Sequence, residues 1–150
     1  MELTREHWTA QDGKEFQKYL LTFSKGPDKS AWEQRIINTQ MPCIAVDAKQ
    51  VGAMVKEIAK GNFMEFLDLH LWENFTNTSI NGSLICKIKD FDVMVSYLKA
   101  YADEIDNWAS CDLLKFNIKD KNKADYFALS KELIASEKPF VRRMGITILF

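Results

Sequence analysis

Apolar residues recur along this chain with the period of an α-helix. Phe16, Tyr19, Leu20 and Phe23 follow the i, i+3, i+4, i+7 spacing. Val51, Met54, Val55 and Ile58 repeat it, as do Phe91, Met94, Val95 and Leu98. Start signals fall at the edges of such stripes. Asp28 follows Pro27, Asp47 has Gln50 three residues on, Asp90 precedes the third stripe, and Asn122 has Asp125 three residues on. Pro139 suits the first turn of a last helix. Only 6 Gly and 3 Pro interrupt the chain, and no strand-like alternation is sustained. The pattern predicts nine helices, at 12–24, 28–39, 47–59, 62–70, 74–88, 90–102, 106–118, 122–135 and 138–150. Short connections set neighbouring helices antiparallel. Helix pairs with one apolar stripe each either stack as an α-solenoid, which makes a concave surface, or collapse into a bundle.

Composition narrows the class. A length of 150 residues predicts one domain, 1–150, with a real core. The net charge of -1 is not that of a strongly basic nucleic-acid-binding domain. Residues 1–75 hold 9 basic and 11 acidic side chains, and residues 76–150 hold 11 and 10, so an anion-binding surface is local and belongs to the second half. Cys43, Cys86 and Cys111 are odd in number and widely spaced, which suits reduced thiols and a cytoplasmic setting better than a disulfide framework. His7 and His70 lie far apart and far from any CxxC pair, so no metal is expected. The opening residues are polar and charged, unlike a signal peptide, and no apolar run approaches the ~20 residues of a membrane span.

The stretch "DNWASCD" (106–112) places Trp108 and Asp112 four residues apart, on one helix face. A tryptophan usually points inward and an aspartate outward. Sharing a face, the two lie at the rim of the core or line a concave binding surface. Trp108 alone reads as a core aromatic, and Asp112 alone as a solvated residue or a salt-bridge partner. Trp8, Trp32 and Trp72 read as packing residues, with Trp72 nearest an edge. Arg142 and Arg143 are adjacent and point about 100° apart on a helix, so one of them at most faces a site squarely. Lys115, Lys119, Lys121 and Lys123 read as a solvated run that can also meet a phosphate backbone.

"DNWASCDLLKF" (106–116) followed by "SEKPFVRRMGITILF" (136–150) resembles the DNA alkylation repair family of the AlkD type. "MPCIAV" ahead of the helix at 47, "EIAKGN" (57–62) and "LWENFTNTSINGSLICKIKDFD" (71–92) fit the same order. The resemblance implies an all-α fold of antiparallel, HEAT-like helix pairs in a superhelix. It implies a DNA glycosylase that removes cationic alkylated purines, such as 3-methyladenine and 7-methylguanine, from double-stranded DNA without base flipping, metal or organic cofactor. By motif position the catalytic set is Trp108, Asp112 and Arg143, with Arg142, Lys115 and Lys119 as DNA-binding residues. Several family members carry an acidic residue directly after the tryptophan; here it is Ala109.

The residue types suit that chemistry. An alkylated base already carries positive charge and leaves readily, so what remains is to stabilise an oxocarbenium-like sugar and deliver water. A fixed carboxylate can do both, an aromatic face stabilises positive charge, and an arginine holds a phosphate bidentately. A different reading is a non-catalytic HEAT-like module for a protein or DNA partner. The chain stops at Phe150 inside an apolar helix, which points to missing C-terminal repeats or to self-association through that helix.

Overall fold

A computed structural model describes residues 1–150 as nine α-helices without a strand. They are α1 (Ala10–Leu21), α2 (Pro27–Ile37), α3 (Ala48–Ala59), α4 (Phe63–Asp68), α5 (Phe75–Ile85), α6 (Phe91–Glu104), α7 (Trp108–Asp112), α8 (Lys123–Ile134) and α9 (Pro139–Ile148). The expected all-α fold is what the chain adopts. None of the helices is long and apolar enough to cross a membrane.

Local chemistry sets most of the boundaries. Asp90 caps α6 by accepting from the Val93 amide at 3.0 Å. Pro139 stands at the start of α9, where its missing N–H costs nothing. Thr9 and Asp12 cap α1 reciprocally, so this helix begins before the apolar stripe does. Three expected caps fail: Asp28 lies inside the first turn of α2, whose N-cap is Gly26 with no side-chain bond. Asp47 makes no cap bond and instead pairs with Lys25 at 2.9 Å. Asn122 turns into the preceding loop and accepts from the Lys119 amide at 2.7 Å.

The helix expected over 106–118 is much shorter. α7 ends at Asp112, and residues 113–122 run as an irregular segment. Leu114, Phe116 and Ile118 alternate with period two, and Asn117, Asp120 and Asn122 favour turns, so the helical stripe is lost beyond Leu113.

α3, α5, α7 and α9 touch in succession, with α6 against α5 and α8 against α9. α5 is the spine of this row. Thr76, Asn77, Thr78, Ser79 and Asn81 are buried on it, as are Ile80, Leu84 and Ile85. Buried amides need partners, and most are supplied. Asn77 exchanges two hydrogen bonds with Gln17 at 2.9 and 2.6 Å, and the Asn81 amide donates to the carbonyls of Leu71 and Asn77 at 3.0 and 2.9 Å. The absence of a side chain at Gly82 lets α6 approach, since a Cβ there would lie 2.8 Å from the Tyr101 ring. Gly145 does the same for α8 and α9: a Cβ would meet the Ser130 carbonyl at 2.9 Å. Trp8, Phe16 and Phe66 pack edge to face at the other end of the core. Trp32 does not pack: it is 54% exposed on α2, because only Ile37 of that helix is buried. Trp72 is half-buried.

Candidate functional site on α7 and α9

α7 has five residues, too few to be stable alone, so tertiary bonds hold it. Asn107 is fully buried and caps the helix by accepting from the Ser110 amide at 2.8 Å. Asp106 accepts from the Thr39 hydroxyl at 2.5 Å and the Gln40 amide at 2.8 Å, tying the helix start to the loop after α2. Burial pushes the Asp106 acid up, but the hydrogen bonds from Thr39 and Gln40 outweigh it and hold the carboxyl below its ordinary range. On the inner side, the buried Cys111 thiol points at the Phe140 carbonyl, 3.2 Å away. The buried Tyr101 hydroxyl donates to the Ser110 carbonyl at 2.5 Å.

With Ser110 and Cys111 turned inward, Trp108 and Asp112 face outward together. Trp108 is 41% exposed, and its indole N–H approaches the Ile36 carbonyl at 3.4 Å. Asp112 meets Arg143 of α9 in a bidentate pair: Arg143 Nε donates to Oδ1 at 2.8 Å and its Nη2 to Oδ2 at 2.7 Å. The two side chains are 40% and 47% exposed. Arg143's hydrogen bonds hold the Asp112 carboxyl below the usual carboxylate range, against a smaller push from burial, and the positive charge of Lys115 adds to the effect. Asp112 is therefore an anion, fixed in direction and open to solvent.

The other expected residues divide. Arg142 turns away from Arg143 and donates to the carbonyls of Ser136 and Glu137 at 3.0 and 2.9 Å, closing the turn between α8 and α9. Lys115 and Lys119 lie in the segment after α7, exposed and outside any ion pair. No three His, Cys, Asp or Glu side chains gather as a metal site.

One feature escaped the sequence. A groove of about 390 Å³ runs beside α7, lined by Val51, Val55, Phe75, Ala109 and Leu113 among others, with Glu33 of α2 on its wall. One Glu33 carboxylate oxygen is buried without a hydrogen-bond partner. Burial pushes this acid up, against weaker opposing contacts with Ala45 and Cys43. Nothing in the spacing around Glu33 announces this, because the groove is assembled from α2, α3, α5 and α7.

No curated protein and no solved structure matches the chain. The sequence profile described as DNA alkylation repair enzyme matches residues 13–150, which takes in every helix from α2 to α9 and both sides of the Asp112–Arg143 pair. The chain belongs to the DNA alkylation repair enzyme family.

Proposed function

We propose that this chain hydrolyses the N-glycosidic bond of cationic alkylated purines, 3-methyladenine and 7-methylguanine among them, in double-stranded DNA. The observation that carries the reading is the outward-facing Trp108–Asp112–Arg143 set, rigidly held within a chain of this family. The cationic base departs with the electron pair of its bond to C1′ and leaves neutral. The positive charge then resides on the sugar, where the Asp112 carboxylate stabilises it and orients water. Water's oxygen bonds to C1′, and its proton passes to solvent along the carboxylate. Trp108 packs on the sugar, with its ring quadrupole facing the developing cation. Arg143 holds Asp112 in position and reaches for the adjacent phosphate. The charge is already on the base, so no general acid, metal or organic cofactor is required, and the base need not enter a pocket. HEAT-like stacking of the helix pairs, with α3, α5, α7 and α9 on the DNA side, fits this arrangement. Three free thiols fit an intracellular setting.

The test is release of 7-methylguanine from alkylated duplex DNA. Asp112→Asn is expected to lower the rate by about 10²–10³-fold, the scale of a lost electrostatic contact to a transition state. The fold should persist, because an exposed ion pair contributes about 0.2–1 kcal/mol. Release that is unchanged in the variant overturns the role of Asp112.

A second reading has its own observation. Ile146, Leu149 and Phe150 form an apolar exposed surface on and after α9, which suits a protein partner or a second copy. Excision by a chain that sediments as a monomer argues against association as the main role.

A further inference from the structure

The segment after α7 does more than end a helix. With the loop between α5 and α6 it forms a solvent-open cavity of about 490 Å³. Five lysines line it: Lys87 and Lys89 from one side, and Lys115, Lys119 and Lys121 from the other. No acidic residue lines it. All five ammonium-bearing side chains are exposed, and none takes part in an ion pair. The nearest acids in sequence are already engaged. Asp90 caps α6, and Asp120 faces Lys123 at 3.5 Å.

This is not a random scatter of charge. The chain carries one more acid than base, so five uncompensated cations around one cavity repel each other without local relief. The C-terminal carbonyls of α5 offer partial negative charge to Lys87 at most. Meanwhile the cavity is held open by a rigid frame. Phe91 and Tyr126 meet edge to face at its floor, with centroids 5.1 Å apart, and Phe116 packs on Tyr126 at 5.6 Å. Asn122 pins the lid of the cavity by accepting from the Lys119 amide at 2.7 Å and donating to the Asn117 carbonyl at 3.2 Å. α7 ends at Asp112, and the irregular segment that follows brings Lys115, Lys119 and Lys121 to the same cavity as Lys87 and Lys89.

Lys115 lines the cavity and follows Asp112 by three residues, so the cavity lies beside the site on α7.

We propose that the lysine-lined cavity is a phosphodiester-binding site, which takes the DNA backbone running on from the nucleotide placed at Asp112. The inference rests on DNA as the partner and does not need the excision chemistry to be right. Lys87 and Lys89 are its new members, and Lys121 joins them from the run after α7.

The experiment measures binding of an undamaged duplex to the full chain across a series of NaCl concentrations, by fluorescence anisotropy. The wild type is compared with a Lys87→Gln, Lys89→Gln, Lys121→Gln variant and with a Lys18→Gln, Lys49→Gln, Lys56→Gln control. The control removes the same charge from lysines away from the cavity, and circular dichroism melts check the folding of all three. Each lost phosphate contact lowers the slope of log K against log salt by about 0.9, so the cavity variant should lose about 2–3 from its slope. The control should lose less than about 1. An equal loss in both variants means that only net charge matters, and overturns the proposal. So does an unchanged slope in the cavity variant, or no duplex binding by the wild type. Tripolyphosphate tests the other source of the same chemistry. If it saturates the cavity while duplex binding ignores the three substitutions, the site serves a small free anion and the DNA assignment fails. Excision of 7-methylguanine is assayed on the wild type in parallel, so failure of excision and failure of this site are read separately.

Discussion

Glu33 carries a buried, unpartnered carboxylate oxygen on the wall of the groove beside α7. Burial raises its acid, so the native state holds its proton more tightly than the unfolded chain does. Stability then falls as pH rises from the ordinary glutamate value, about 4.3, through the raised native one. Glu33→Gln removes the charge and keeps the shape. Its urea midpoint is expected to exceed that of the wild type at pH 7, and the gap should close as pH falls toward about 4.3. A gap that widens on acidification would show that the carboxylate is stabilised where it sits. Glu33 was not legible in the sequence because its surroundings come from three other helices. Trp108 and Asp112 were legible as a pair, because four-residue spacing gives a shared face even in a five-residue helix. Spacing did not fix the partnership of Asp112 with Arg143, 31 residues on; only the family resemblance pointed to it.

At the scale of elements, the amphipathic stripes of α1, α3 and α6 were readable because each helix has one wet side. α7 was not bounded correctly, because Leu113 and Leu114 extend its apolar pattern while the asparagines that end the turn come later. α5 was placed, but its central position was not foreseen, since its buried face consists of Thr, Ser and Asn as much as of Ile and Leu. α5, α6 and α7 meet at Tyr101, which fills the space left by Gly82 and donates to the Ser110 carbonyl. Tyr101→Phe leaves that carbonyl buried with no donor, which costs about 1–3 kcal/mol. Thermal unfolding should report this loss. Excision assayed well below the melting range should fall as well, because α7 loses a tether two residues from both Trp108 and Asp112. Full stability in the variant would mean that the carbonyl finds another donor.

For the molecule as a whole, the question is whether the row from α3 to α9 opens piecemeal or as one body, and the three thiols can answer it. Cys86 is buried at the end of α5, and Cys111 is buried between α7 and α9, while Cys43 is partly exposed in the loop before α3. Burial raises all three acids: Cys86 to about 11, Cys43 and Cys111 to about 12, with the negative charge of Glu33 adding at Cys43 and that of Asp112 at Cys111. A thiol moved from an ordinary value near 8.5 to about 12 holds on the order of a thousandfold less thiolate at pH 8, so none should react with a disulfide reagent at the rate of free cysteine. The order of reaction carries the information. Local opening of the loop suffices for Cys43, so it should react first, and its rate should be insensitive to low urea. Cys86 and Cys111 need the shared core to part, so they should react together, with rates that rise with urea as global unfolding does. Cys111 reacting ahead of Cys86 would show that α7 detaches from α9 on its own. In that case the Asp112–Arg143 pair would be intermittent in solution, and a preorganised carboxylate could not be the source of catalysis.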